Sequence, residues 1–396
     1  MKINIRENVY DLNLDDLVSI GYRDNNSKRN FLFISKVLGK HIEVKPDICK
    51  VTGFLLASTI LGVTKETRML INYIKDNNKE INVNEVMNLA YRTNEKLVVL
   101  GFAETATGLG MAVASAIENS YYITTTREDI KGIKSFLKFE EEHSHATTHK
   151  CFPEDIYKLR EADRIILVDD EITTGKSMLN IIKELKKTTG VKKYEILTIL
   201  DWRNIEYRNL YKDFIRKNKV EIEVRALISG DIEIEDNNVY CNENESLLSE
   251  KMNVNSLNIL SRKGQYLKFT GRFGVYFDDI KKLEEECIRA ANKIQEIIGY
   301  NKKILVLGHG ENIYIPSRIA SYLKGDVYFK STTRSPIYCS NEKGYLINEK
   351  NVFYHNGVKY YFYNKSRIEE VYDKVILITE DDLDIKLTNN LIIVKP

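Results

Sequence analysis

The sequence lacks the marks of several common classes, and each absence narrows what the chain can do. It has no excess of charge of either sign, since 59 Lys and Arg stand against 57 Asp and Glu for a formal net of +2. That balance gives no long-range field for a nucleic-acid partner, so any anion site must be local. It has no paired cysteines: Cys49, Cys151, Cys241, Cys287 and Cys339 are odd in number, widely spaced and never arranged as C-x-x-C. Neither a disulfide framework nor a zinc knuckle follows, and a reduced, cytoplasmic protein is expected. It has no apolar run near the about 18 residues of a membrane span, and its opening MKINIRENVYDLNL carries acids where a signal peptide has an apolar core, so no membrane partner is expected. What it does have is length. At 396 residues the chain exceeds one ordinary core, and two or three domains are expected.

The most informative stretch is Arg164 to Leu179, RIILVDDEITTGKSML. Ile165, Ile166, Leu167 and Val168 form a short apolar run without alternation, which suits a parallel strand covered on both faces. Asp169 and Asp170 follow, at the carboxyl end where open α/β sheets place ligands. Thr173, Thr174, Gly175, Lys176 and Ser177 then lead into a helical pattern through Met178, Ile181, Ile182 and Leu185. Hydroxyls, turn N–H groups and a helix N-terminus suit a phosphate monoester, and two adjacent carboxylates suit a vicinal diol. A ribose 5-phosphate carries both. A nucleotide P-loop is excluded, because the glycine required five residues before Gly175 is Asp170.

This stretch resembles the phosphoribosyl-pyrophosphate (PRPP) loop of type I phosphoribosyltransferases, with Glu171 in place of a usually apolar residue and Lys176 as an added cation. The resemblance implies that Asp169 and Asp170 hold the ribose hydroxyls, and indirectly a PRPP-bound Mg²⁺, while residues 173–177 hold the 5′-phosphate. It implies an α/β fold with a parallel sheet and a hood. Upstream, KLVVLGFAETATGLGMAVASAI places a strand, a loop and a helix of small residues in succession. By the same resemblance Glu104, Thr105, Ala106, Thr107 and Gly108 would cradle the pyrophosphate, although a Gly/Ala helix also serves plain packing. The run Tyr121 to Arg127 is expected as a strand that brings Arg127 to the pyrophosphate.

The segment FEEEHSHATTH, Phe139 to His149, holds three of the six histidines. It reads as a polar loop, as half of a metal site through His145 and His149, or as a catalytic loop that closes over PRPP and supplies Glu141, Glu142, His143 and His145 for proton transfer. Lys36, Lys40 and His41 flank a turn near the N-terminus and form either a solvated edge or part of the site. Residues 236–255 are rich in Asn, Glu and Ser and read as a linker between domains at 1–235 and 256–396.

Beyond that linker the chain echoes itself. LVVLGFAETATGLGMAVASAIENSYYITTTRE aligns without a gap on ILVLGHGENIYIPSRIASYLKGDVYFKSTTRS, with Gly101 on Gly308 and Arg127 on Arg334, a shift of 207 (308 − 101). A second α/β domain is expected, either a degenerate repeat of the first or an unrelated βα unit that shares its pattern, with His309, Gly310, Glu311 and Arg334 at its site. No Thr-Thr-Gly turn follows its last acids, so it should hold no second PRPP. Thr333-Arg334-Ser335-Pro336, GHGE at 308–311 and FTGRFG at 269–274 resemble the TRSP domain. The first half resembles the orotate-phosphoribosyltransferase-like proteins that precede TRSP domains in tellurite-resistance and stress-response gene clusters. The expected activity is Mg²⁺-dependent transfer of 5-phosphoribosyl between PRPP and a nitrogenous base. The alternative is a PRPP sensor without catalysis, and a homodimer is compatible with either.

Overall fold

The structure is a computed structural model that describes residues 2–26, 29–76, 90–140, 148–233, 239–241 and 245–396. The chain is α/β and divides into two compact units that interleave in sequence. Unit 1 comprises Met1–Asn13, Cys49–Glu233 and Lys268–Lys282; unit 2 comprises Leu14–Ile48, Ile234–Leu267 and Leu283–Pro396.

Unit 1 is built from β1 (Lys2–Asn8), α1 (Ile48–Leu61), β2 (Leu97–Gly101), α2 (Ala106–Ser115), β3 (Tyr121–Thr124), β4 (Arg164–Ile172), α3 (Lys176–Thr189), β5 (Lys193–Asp201), α4 (Ile205–Asn218), β6 (Glu221–Glu233) and β7 (Val275–Tyr276). Its sheet runs β1-β6-β5-β4-β2-β3-β7, parallel throughout except for the two edge strands. The central strands are apolar on both faces, and Ile165 through Val168 are fully buried, as expected of strands covered by helices on both sides. The small residues of α2 let it lie against the sheet: a Cβ at Gly110 would stand 2.8 Å from the Gly101 Cα. Every residue of α2 is buried.

The last strand of this sheet comes from far along the chain. β7 pairs antiparallel with β3, Val275 opposite Tyr122, and the Gly271 carbonyl accepts from Thr124 N–H at 3.0 Å. The FTGRFG segment is thus the edge strap of unit 1. An antiparallel hairpin, Leu137–Glu140 with Thr148–Cys151, leaves the sheet between β3 and β4.

Unit 2 carries β8 (Lys303–His309), α5 (Tyr314–Tyr322), β9 (Asp326–Thr332), β10 (Lys374–Ile378) and β11 (Leu391–Lys395). With a short strand at Val254–Ser256 they form an all-parallel sheet in the order Val254–Ser256, β11, β10, β8, β9. Its strand order β11-β10-β8-β9 has the same sense as β5-β4-β2-β3 in unit 1. It too sends out an antiparallel hairpin, Lys350–His355 with Val358–Tyr363, between its second and third strands. It too has a strap: Val44 bridges Phe329 antiparallel, and the Gly39 carbonyl accepts from Ser331 N–H at 2.7 Å. Behind α5, the fully buried Arg318 is held by Glu284 at 3.0 Å and Asp47 at 2.6 Å. Among the described residues no helix is long and apolar enough to cross a membrane.

Candidate active site

The expected PRPP loop leaves the middle of the unit 1 sheet. β4 is longer than its apolar run suggests. Its neighbour β2 stops at Gly101, opposite Val168, while β5 continues alongside, Asp169 opposite Thr198 and Ile172 opposite Asp201. Asp169 and Asp170 are therefore paired on one side only, at the carboxyl edge, and both are half-buried. The Asp169 carboxylate accepts from Asp170 N–H at 2.9 Å.

The turn after them is set by Gly175, the N-cap of α3, which has φ 70° and ψ 10°. A left-handed N-cap without a side chain leaves the first N–H groups of the helix to other acceptors. Thr174 Oγ1 receives one of them, from Lys176 at 3.4 Å. The Gly175 carbonyl accepts from Tyr211 Oη at 2.7 Å, and Tyr211 is itself backed by the Arg203 guanidinium, 4.2 Å from its ring centre. Arg203 is clamped by Asp201 through two contacts of 2.9 and 2.8 Å. A buried ion pair at the end of β5 thus fixes the ring that fixes the turn. Thr173, Thr174, Lys176 and Ser177 are half-buried around it, so hydroxyls, a cation and helix N–H groups gather at the turn.

The second expected loop opens from the adjacent strand. Glu104, Thr105 and Thr107 are each about as buried as core residues, at 4–5 % exposure, and the Ala103–Glu104 peptide is cis. Thr107 Oγ1 donates to the Glu104 carbonyl at 3.0 Å, and the Thr105 side chain does not cap α2. The loop is thus folded in against the sheet, with Ala106 and Gly108, also buried, in the first turn of α2. Thr125 fastens it, accepting from Ala103 N–H at 2.8 Å.

Arg127 lies three residues beyond β3, which ends at Thr124 rather than continuing to the arginine. Its Nε donates to His149 Nε2 at 3.5 Å, and His149 Nδ1 meets Thr125 Oγ1 at 2.9 Å. A guanidinium only donates, so His149 accepts at Nε2 and carries its proton on Nδ1. Both ring nitrogens of this fully buried histidine are committed, which removes it as a metal ligand. Among the described residues no set of three His, Cys, Asp or Glu groups could hold a metal.

Glu141, Glu142, His143 and His145 lie outside the described residues. Glu140, just before them, offers its carbonyl to Asn180 Nδ2 of α3 at 3.4 Å.

In unit 2 the expected residues meet around one ring. His309 ends β8, and its imidazole centre is 4.3 Å from that of Tyr360. Arg334 donates to Tyr360 Oη from Nε at 3.2 Å and Nη2 at 2.8 Å. A Cβ on Gly310 would come within 3.3 Å of the same ring. Glu311 is half-buried in the same loop. His41, one of the three residues flanking the N-terminal turn, is buried here rather than solvated, at 4 % exposure.

Residues 17–231 match the phosphoribosyl transferase family, and residues 269–394 match the TRSP domain that lies C-terminal to it. The chain belongs to the phosphoribosyl transferase family. A hypoxanthine/guanine phosphoribosyltransferase of Methanosarcina barkeri is 29% identical over 142 residues, 35% of this chain and 69% of that protein. Among solved structures, the adenine phosphoribosyl transferase of Trypanosoma brucei matches at 19% identity and a TM-score of 0.25, over 41% of this chain and 65% of that one. The Giardia lamblia enzyme matches at 18% and 0.23, over 34% and 71%. The chain thus spans about two thirds of the length of these relatives, and neither superposition is close enough to carry residues across.

Two side chains of unit 1, Tyr211 and Arg272, escaped the sequence, and a third, His149, was read there only in a polar loop or as half of a metal site. Tyr211 sits on a helix whose pattern gave no hint that it would reach the Gly175 turn. His149 stands in the histidine-rich run, yet only the hairpin register, Phe139 opposite His149, shows that it turns into the core. Arg272 comes from the TRSP-matching segment. It is 5 % exposed and sends Nη2 to within 3.7 Å of the carboxylate of Glu128, the residue after Arg127. No local pattern links position 272 to position 128.

Proposed function

We propose that unit 1 transfers 5-phosphoribosyl between PRPP and a nitrogenous base, with Mg²⁺ bound through the diphosphate. The observation that carries this is the adjacency of the two loops: Gly101 stands opposite Val168, so residues 104–108 and 169–177 open side by side at one edge of the sheet. One loop offers backbone N–H groups for a diphosphate, and the other offers carboxylates and hydroxyls for a ribose phosphate.

In this reading Thr173, Thr174, Ser177 and the first N–H groups of α3 bind the 5′-phosphate, with Lys176 adding charge. Asp169 and Asp170 accept from the ribose hydroxyls and fix the sugar. The N–H groups of residues 105–108 and the Arg127 guanidinium hold the diphosphate, and the Ala103–Thr125–His149–Arg127 chain keeps that loop and that arginine in register. The donor set suits magnesium, which keeps several waters and takes one or two carboxylates plus substrate phosphates rather than a closed protein cage. A bound Mg²⁺ would supply neutralisation of the diphosphate charge. The remaining work is positioning and charge stabilisation around C1 of the ribose. The acceptor is a nucleobase-like heterocycle, and the purine named for the Methanosarcina barkeri relative makes hypoxanthine and guanine the first to try.

Asp169→Asn and Asp170→Asn test this reading through PRPP affinity measured by calorimetry. A charge-assisted hydrogen bond is worth about 1.5–3 kcal/mol, so each should weaken binding by roughly tenfold or more. Unchanged affinity in both variants would sink the assignment.

A further inference from the structure

Unit 2 has a site that the proposed function of unit 1 does not use. It lies at the carboxyl edge of an all-parallel sheet, where β8 and β9 run side by side with His309 opposite Thr332. His309 Nδ1 bonds Thr332 Oγ1 at 2.8 Å. Its other nitrogen, Nε2, is buried without a hydrogen-bond partner among the described residues, and so is Asn312 Nδ2 in the same loop. Two buried, unsatisfied polar groups in one short loop are costly, at about 1–3 kcal/mol each, and native structures rarely keep them without a reason. Arg334 lies beside them over Tyr360, its guanidinium carbon 5.2 Å from the ring centre. Of the two carboxylates nearby in the fold, Glu311 is half-buried in the loop itself, and Asp381 meets His355 Nε2 at 2.6 Å, with the His355 ring 5.4 Å from that of His309. His309 and Arg334 thus share the Tyr360 ring, and Asn312 bridges back to His309 in the same loop.

We infer that unit 2 binds a phosphate group in this loop, with Thr332 Oγ1 donating to His309 Nδ1 so that Nε2–H, Asn312 Nδ2 and Arg334 are its donors. The bare phosphate is favoured over a larger ligand by what surrounds it. Phe353 and Tyr360 are buried at 0 and 3 % exposure, so neither ring offers a face for a base to stack on. The strand that would supply diol-binding acids is also occupied otherwise: Thr379 Oγ1 donates to Asp381 at 3.0 Å, and Glu380 accepts from Leu267 N–H. The position has a counterpart in unit 1. Arg334 and the 309–312 loop stand where Arg127 and the proposed diphosphate loop stand. The two straps fall in the same register, with the Gly271 and Gly39 carbonyls on Thr124 and Ser331, again 207 apart (331 − 124). That counterpart rests on the function proposed for unit 1, whereas the unsatisfied donors do not.

The ligand is either free phosphate or the phosphate of a monoester, and the experiment separates them. The full-length chain is labelled with ¹⁵N-histidine, the His309 ring signals are assigned by their loss in His309→Gln, and inorganic phosphate or a nucleoside 5′-monophosphate is titrated in. A saturable change at His309 Nε2 is expected, and the tighter of the two probes names the source. Arg334→Gln should weaken that response by about tenfold, with Arg334→Lys as the milder variant should the first fail to fold. No response to either probe up to the order of 10 mM overturns the inference, and so does a response of full strength without Arg334. The same titration in Asp169→Asn/Asp170→Asn protein keeps the two proposals apart. An intact His309 response beside unchanged PRPP affinity would refute unit 1 alone, and lost PRPP affinity with a silent His309 would refute unit 2 alone.

Discussion

Replacing Gly175 by alanine tests the turn on which the proposed phosphate cradle depends. The residue holds φ +70°, and a Cβ there would sit 2.3 Å from Tyr211 Oη and 2.9 Å from two ring carbons. A left-handed L-residue costs about 1–2 kcal/mol. The ring cannot retreat cheaply, because Tyr211 is 4 % exposed and Arg203 lies on its other side, so overpacking adds about 1–3 kcal/mol. Moving the ring also strains the Tyr211 bond to the Gly175 carbonyl, worth about 1 kcal/mol. Taken together the substitution should destabilise unit 1 by about 3–6 kcal/mol, or roughly 10–20 °C in Tm for a unit of this size. The assay is thermal unfolding with and without PRPP; the variant should also lose most of the stabilisation that PRPP gives the parent. In a Tyr211→Leu background the clash is gone, and Gly175→Ala should cost only the about 1–2 kcal/mol of the backbone. A Gly175→Ala protein that melts with the parent, or an equal penalty in both backgrounds, would refute the reasoning.

Arg272→Gln should raise KM for PRPP several-fold at nearly constant kcat, since Arg272 acts through Glu128 and Arg127 rather than on the substrate; steady-state kinetics beside a melting curve check this. Glu284→Ala leaves the buried Arg318 guanidinium without its main partner and should cost about 3–5 kcal/mol, read by denaturant unfolding. Burial pushes the His309 imidazole down from 6.5 to about 3. The unfolded chain therefore binds that proton first, and the contribution of neutral His309, complete above pH 6.5, is lost as pH falls toward 3 at about 1.4 kcal/mol per pH unit. The His309→Gln protein should lose stability less steeply between pH 6 and 4, with a residual slope from His41, which burial also holds low; equal slopes would contradict this.

What the sequence made legible was local. Arg164 to Leu179 announced a strand, two acids and a helix N-terminus because neighbouring residues build that cradle, and the ordering survives in β4 and α3. A gapless match to the second half was legible, and four strands of unit 2 run in the same order as four of unit 1. What brings distant residues together was not legible. The strap β7 completes the unit 1 sheet from more than 140 residues beyond β3 (275 − 124), and a two-residue strand has no periodicity to betray it. Tyr211 and Arg203 act through ring packing and a buried ion pair, neither of which leaves a sequence pattern. The length of β4 was also hidden, because polar residues at 169–171 mask a strand that only its pairing with β5 extends.

The most direct test of the central claim is pyrophosphate release from PRPP and Mg²⁺ across a panel of purines, pyrimidines and related heterocycles. At least one base should drive release, and the Asp169→Asn/Asp170→Asn protein should lose it. A protein that binds PRPP tightly and releases no pyrophosphate with any base would be a sensor, and the account of unit 1 as a transferase would be contradicted.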